Sequence, residues 1–436
     1  MITGGDGGAM LEGIKVLDLT SVVFGPYCTQ MLADLGAEVI KVESPHSGDI
    51  FRWSGKWVSE KGMAPGFLTI NRGKKSAALN LKDPDDNATM KALLREVDVF
   101  VLNVRGKAVE RLGLDYDSVK AINPDIIYVH CVGFGQDGPY ADLQAYDDVI
   151  QAASGTASLL SRVDGNPRAR YFPSLIADKV AGLHGAHATL AAIIHQMRTG
   201  RGQRVEVPMF EAFTNFMLLE HLAGKTFDPP NAPVCYFRQV DPDRQPFPTA
   251  DGYISIVTYT DESLPVILKL LGNPAFLDDA RFATLALRAR NLGAIYQEIA
   301  RLTPKFTSAE LLKLCHGAQI PAQPVRDIGD ILDDPHLAAL YTQSCKACHA
   351  VPAIRSGRCS AGRGSPRGHW CTAALPTGRR GVHRRTAGSG RRRTPPAASL
   401  ARHARRRRTG APRSPHPQGC GQYRGHQGRG QPHACA

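Results

Sequence analysis

From Thr342 to Ala436 the chain contains no Asp, Glu, Phe, Asn or Met. A stretch without acids and with so few large apolar side chains cannot bury enough surface to offset chain entropy, which excludes an independent core there. Arg, Pro, Gly, Ala and His fill it instead, with arginine runs at 391–393 and 405–408. Of the 53 Lys and Arg, 20 fall from Tyr341 onward together with none of the 40 acids, so residues 1–340 carry −7 while the whole chain carries +13. A basic balance points to nucleic acid or a membrane surface, but here it does not describe the body, residues 1–340. Cysteine is also scarce in that body. Only Cys28, Cys131, Cys235 and Cys315 precede the tail, scattered in apolar surroundings. That excludes a disulfide framework and suits reduced thiols. There is no apolar run of 18 or more and no basic-then-apolar leader, so the expectation is a soluble, cytoplasmic protein with no membrane partner.

What is present up to about Leu340 alternates between strand and helix patterns. Leu11 to Leu19 reads as a first strand, and Gly25-Pro26 opens a helix that Gly36 stops after Leu35. Ala37–Val42 and Ala77–Leu81 read as strands, with a helix over Asp85–Glu96 after them. Val97–Leu102 and Ile126–Val132 are continuous apolar runs, as in strands buried on both faces. A long helix is expected over Ser174–Arg198, with Gly182, Gly185 and Ala186 leaving room for another backbone. Gln203–Val207 resumes as strand and Met209–Leu222 as helix. This alternation predicts a Rossmann-like α/β domain with a parallel sheet over residues 1–227. A Pro-rich linker follows over 228–248, and then a smaller α+β domain over 249–340 that opens on the strand Tyr253–Tyr259. Residues 341–436 form the basic low-complexity tail.

Several motifs need weighing. Gly133-Phe134-Gly135-Gln136-Asp137-Gly138 is a literal G-x-G-x-x-G after a strand. Pro139 follows it where a helix should open, and Asp164 sits in a loop rather than at a strand end, so a tight glycine loop is the better reading than a dinucleotide site. Cys345-Lys346-Ala347-Cys348-His349 matches a covalent haem motif, but haem attachment of that kind needs export, and the motif lies at the compositional break. The arginine tail could neutralise phosphates. A plainer origin is GC-rich DNA read out of frame near Tyr341. Sequencing the gene tests this, and an in-frame read with the same tail would defeat it. Asp178 has two readings. It is an acid in the first turns of a helix, favourable to the macrodipole. It is also a carboxylate one turn from the plausible N-cap Ser174, ringed by small residues, held ionised and able to act as a nucleophile.

Four blocks carry a resemblance: LEGIKVLDLTSVVFGPYCTQMLADLGAEVIKVESPHSGD, NRGKKSAALNLKDP, GFGQDGPYADLQAYDDVIQAASG and IADKVAGLHGAHATLAAIIHQMRTGRGQRVEVPMFEA. DGYISI and DDARFATLALRARN fit as well. From about Leu11 to Leu340 the chain resembles the class III CoA-transferases, the superfamily of formyl-CoA transferase, carnitine CoA-transferase and α-methylacyl-CoA racemase. The resemblance implies that Asp178 is the catalytic aspartate and works through an aspartyl anhydride and an aspartyl-CoA thioester. It implies CoA contacts at Val23, Phe24, Leu79, Lys82, Asn103, Arg111 and Tyr146, with Lys82 suited to a phosphate. It implies an acyl-CoA and a free carboxylic acid as substrates, no tightly bound cofactor or metal, and an interlocked homodimer.

Three positions depart from formyl-CoA transferase. Val23 stands for Gln, Ser44 for Arg and Gln144 for Lys, and no four-glycine loop precedes the small domain. These argue against formate and oxalate, and a dicarboxylate such as succinate is the expected donor acid. Racemases of the superfamily carry a GHD motif where this chain reads Ala145-Tyr146-Asp147. An acyl-CoA racemase or epimerase is therefore the weaker alternative. A non-catalytic protein using the tail on nucleic acid is weaker still.

Overall fold

The computed structural model describes residues 9–55 and 61–344. The haem-like motif at 345–349 and nearly all of the basic tail, with its out-of-frame and nucleic-acid readings, lie outside these residues. The compositional boundary at Tyr341 falls within a helix, Pro335–Ser344.

Six parallel strands build the main sheet: β1 (Lys15–Leu19), β2 (Glu38–Glu43), β3 (Lys75–Ala78), β4 (Val99–Leu102), β5 (Ile127–Val132) and β6 (Arg204–Pro208), in the order β3-β2-β1-β4-β5-β6. Val16 pairs with Val39 on one side and Val99 on the other, and Tyr128 to Val132 pair with Arg204 to Pro208. Every residue of β4 and β5 is buried, as central strands with helices on both faces require. Side chains alternate between the two faces. Val16, Val99, Val101, Ile127 and Val129 pack with Ala177, Val180 and Ala181 of the long helix Ile176–Thr199. Leu17, Phe100, Leu102 and Tyr128 pack on the other face with Met90 and Leu94 of the helix Pro84–Leu94. The strand order reverses direction between β1 and β4, which makes a crevice at the carboxyl ends of those two strands.

Some element boundaries differ from the expected ones. The third strand is Lys75–Ala78, not Ala77–Leu81. It lies at the sheet edge, mostly exposed, and needs no apolar run; Leu79 and Leu81 leave it to pack half-buried against the second core. Asp83 caps the following helix by accepting from the Asp85 and Asp86 amides, and so starts it one residue early. Ser174 is not the N-cap of the long helix. Leu175 holds that position with no side-chain cap bond, and the Ser174 hydroxyl instead accepts from Lys179.

A three-stranded antiparallel sheet follows, from β7 (Phe247–Pro248), β8 (Tyr253–Ile256) and β9 (Ala322–Pro324), ordered β7-β8-β9. Phe247 and Pro248, expected in the linker, thus belong to this sheet. Ile254, Ile267, Leu268, Ile299, Leu311 and Cys315 form its core. A reciprocal Thr307–Glu310 capping box starts the helix Ser308–Gly317. Among the described residues no helix is long and apolar enough to cross a membrane.

Candidate active site

The candidate residues lie in segments that leave the carboxyl ends of the parallel strands, and they do not all line one cleft. Val23 and Phe24 follow β1, Leu79 and Lys82 follow β3, Asn103 and Arg111 follow β4, and Tyr146 follows β5. Asp178 comes from the helix that runs back toward β6.

The segment after β1 is clamped from four directions. The buried Asp18 takes the Thr20 amide at 2.9 Å and its hydroxyl at 2.5 Å. Lys41, buried within β2, donates to the Thr20 carbonyl at 2.7 Å. Asn103 crosses the β1–β4 crevice. Its Oδ1 accepts from the Ser21 amide at 3.0 Å and its Nδ2 donates to the Ser21 carbonyl at 2.9 Å. The Val22 amide donates to Asp49 Oδ1 at 2.9 Å. Gly25 closes the turn, because a Cβ there would lie 2.5 Å from the Thr20 Cβ. The helix Phe24–Asp34 then begins with Val23 at its N-cap and no side chain capping its first amides.

Asp178 is the third residue of the helix Ile176–Thr199 and is only 6% exposed. An amide in that first turn has no partner within the helix; here it donates to Asp147 Oδ1 at 3.1 Å. Asp147, itself buried, also accepts from Gln151 Nε2 at 2.6 Å through its other oxygen. Gln151 Oε1 in turn accepts from the Phe172 amide at 2.8 Å, which ties the approach to the long helix to the same cluster. Burial, and then the charge of Asp147, push the Asp178 carboxyl up to about 7, while the Phe24 backbone amide pulls the other way. The helix terminus alone therefore does not keep Asp178 ionised, contrary to the expectation from the macrodipole. It is poised between its two protonation states at neutral pH.

Small residues allow the two helix starts to meet. A Cβ on Gly182 would lie 3.0 Å from the Phe24 carbonyl oxygen and 2.9 Å from the Tyr27 ring, and one on Gly185 would lie 3.2 Å from Cys28 Sγ. The close backbone approach expected of these glycines is what brings Phe24 to Asp178.

The remaining candidates sit in different settings. Tyr146 precedes Asp147 directly and is 59% exposed. Lys82 and Arg111 line one cleft of about 880 Å³, which Lys91 also enters. Leu79 is half-buried, and its amide is bonded to the Glu43 carbonyl. Asn103 has both ends of its amide engaged with Ser21 and acts here as a bridge between loops. In the Gly133–Gly138 loop, the Gly135 amide donates to Glu211 and the Gln136 amide to Glu206, each at 2.9 Å. No helix opens there before Asp147. Those amides serve the loop's own structure.

Sequence reasoning missed Asp147, Gln151, Lys41, Asp49 and Lys91. A lysine inside the apolar strand pattern EVIKVE was a readable sign of a buried charge that needs a partner. Asp147 and Gln151, four apart on the helix Asp147–Ala153, were readable as an i, i+4 pair. Among the described residues no group of three or more His, Cys, Asp or Glu is arranged to hold a metal ion.

The chain is similar to known proteins over most of its length. It is 34% identical over 337 residues to a succinate–glutarate CoA-transferase of Agrobacterium fabrum, which covers 76% of this chain and 83% of that protein. It is 33% identical over 340 residues to an acetyl-CoA:oxalate CoA-transferase of Acetobacter aceti, covering 75% and 84%. A crystal structure of a CaiB/BaiF family protein from Brucella suis superposes with a TM-score of 0.65 at 31% identity, covering 76% of this chain and 87% of that one. The model of CoA-transferase family III matches residues 11–352, past the compositional boundary at Tyr341. With its parallel sheet, its second small sheet and this match, the chain belongs to CoA-transferase family III and is a CoA-transferase acting on CoA thioesters.

Proposed function

We propose that the chain moves CoA from an acyl-CoA to a free dicarboxylic acid, with Asp178 as the covalent acceptor. The observation that carries this reading is the buried Asp178 carboxyl, set between Asp147 and the Phe24 amide at the carboxyl edge of the sheet. A desolvated carboxylate is a stronger nucleophile than a hydrated one, and its ionised form is half populated near pH 7.

In the first step a carboxylate oxygen of Asp178 attacks the thioester carbon. The C–S bond breaks, giving an acyl-aspartyl anhydride and CoA thiolate. The thiolate then attacks the Asp178 carbonyl carbon, which releases the donor acid as carboxylate and leaves an aspartyl-CoA thioester. The acceptor carboxylate attacks that thioester, forming a second anhydride and freeing the thiolate. Attack of the thiolate on the acceptor acyl carbon yields the new acyl-CoA and regenerates the Asp178 carboxylate. No net proton is consumed. The Phe24 amide is the donor suited to the oxyanions that develop at the Asp178 carbon.

Val23 and Phe24 flank the thioester in this reading, and Tyr146 and Asn103 border the pantetheine path. Leu79, Lys82 and Arg111, with Lys91 added, take the nucleotide end, where three cations suit its phosphates. Succinate and glutarate fit as acids because the Agrobacterium fabrum relative carries both in its name and Val23, Ser44 and Gln144 depart from formyl-CoA transferase. A homodimer is part of the proposal. Ile194 and Met197 on one helix and Phe216 and Leu219 on the next expose an apolar face, Leu219 at 86%. A cytoplasmic setting is supported by the free Cys28, Cys131, Cys235 and Cys315. The test is CoA transfer from succinyl-CoA to a panel of dicarboxylates. Transfer that depends on Asp178 supports the reading, and equal transfer by Asp178→Ala defeats it.

A further inference from the structure

Val22 has a φ of +70°. For a β-branched residue this backbone is strained, and it persists only where the surroundings over-determine it. Glycine would adopt it freely, so the conformation is imposed on this valine by its neighbours. The imposing group at Val22 itself is Asp49. Its Oδ1 accepts the Val22 amide and the Phe51 amide, each at 2.9 Å. Its Oδ2 stands 3.0 Å from Lys41 Nζ, with both side chains buried. Lys41 continues to the Thr20 carbonyl. The Asp49 amide is held by Glu43 Oε2 at 2.8 Å, which also takes Arg52 Nε at 2.7 Å. A buried ion pair thus joins segment 20–22 to segment 49–51. Val22 also lies two residues before Phe24, whose carbonyl oxygen would lie 3.0 Å from a Cβ on Gly182, one turn from Asp178, and whose amide acts to lower the Asp178 carboxyl.

We infer that Asp49 is a positioning residue of the reaction, which through the strained Val22 aims the Phe24 backbone amide at the acyl-accepting oxygen of Asp178. This rests on the reading of Asp178 as covalent acceptor. Asp49 does not touch the reacting atoms; it fixes the turn that supplies their oxyanion donor. A buried ion pair is weak evidence of stability; here it holds a turn whose backbone angle a β-branched residue does not adopt freely.

The experiment compares the full chain with its Asp49→Ala, Asp49→Asn and Val22→Gly/Asp49→Ala variants. The readouts are kcat and KM for succinyl-CoA and the pH midpoint of Asp178 acylation, followed by hydroxylamine trapping and mass spectrometry. Losing an oxyanion donor costs about 10²- to 10³-fold in kcat. Asp49→Ala is expected to lose at least about tenfold in kcat with KM within about twofold. Its acylation midpoint should move upward, because the Phe24 amide favours the ionised carboxylate; Asp147, the charged group that raises Asp178, is untouched. Asp49→Asn keeps an acceptor for the Val22 amide but sets its Nδ2 against the buried Lys41 ammonium, so it should recover only part of the rate. Val22→Gly should restore part of it in the Ala background by removing the strain, an outcome that general destabilisation does not produce. A wild-type kcat and midpoint in Asp49→Ala overturns the inference, as does an Asp49→Ala loss that neither Asn nor the added glycine repairs. If the wild-type chain forms no adduct on Asp178, the reading of Asp178 itself fails and this inference falls with it.

Discussion

Asp147 holds Asp178 by two opposed means: its Oδ1 accepts the Asp178 amide at 3.1 Å, while its negative charge stands against ionisation of the Asp178 carboxyl. The same residue therefore orders the nucleophile and holds back its charge. Asp147→Asn separates the two effects. The Asn oxygen can still accept the amide, but the charge is gone, so the midpoint of Asp178 acylation should fall by about one pH unit and activity at pH 6 should rise relative to pH 8. Its Nδ2 then faces Gln151 Nε2, donor to donor, which should cost about 1–2 kcal/mol of stability. A pH–rate profile and a urea titration check both parts.

Asp178 also makes stability depend on pH. Its folded-state pKa is raised, from 3.8 to about 7, so the folded chain holds this proton more tightly than the unfolded one. The stabilisation is fully present below about pH 4 and is lost as pH rises to 7. Asp178→Asn removes the titration. Relative to wild type it should gain up to about 4 kcal/mol between pH 4 and pH 8, while losing transfer activity. Denaturant unfolding of both proteins at the two pH values measures this, and a difference that does not change with pH would contradict it.

Gly182 controls how closely the two helix starts approach. Gly182→Ala puts a methyl 3.0 Å from the Phe24 carbonyl oxygen, and backbone cannot yield as a flexible side-chain end can. The gain of about 1 kcal/mol in helix propensity is outweighed by overpacking of about 1–3 kcal/mol. The expected result is no gain in stability and a lower kcat, since Phe24 is displaced from Asp178. Thermal unfolding and steady-state rates check it.

Lys82 and Arg111 line one cleft whose lining includes neither Phe24 nor Asp178. Lys82→Ala and Arg111→Ala should each raise KM for the acyl-CoA about tenfold, the equivalent of one charge-assisted contact, with kcat little changed. Added salt should narrow the gap to wild type, because exposed charges are screened. A matching fall in kcat would place them nearer the reacting atoms.

Much of this was legible in the sequence, for reasons that can be named. The apolar runs of β4 and β5 read correctly because strands buried on both faces have no choice of composition. The small residues of the Asp178 helix announced a close approach. β3 was misplaced because an edge strand does not need apolar residues, and Ser174 was a misleading cap because its hydroxyl turned to Lys179. The raised Asp178 carboxyl was not legible at all. It depends on Asp147, 31 residues earlier in the chain, and on burial that only the packed helices create. Asp49 was hidden in the same way, since its importance lies in a backbone angle at Val22.

The decisive measurement is a mass spectrum of the protein quenched during turnover with succinyl-CoA and treated with hydroxylamine. A peptide carrying a hydroxamate on Asp178, absent when the thioester is omitted, is the expected result. Turnover with Asp178 unmodified at every time point, or with the label on another side chain, would contradict the central role given to this carboxyl.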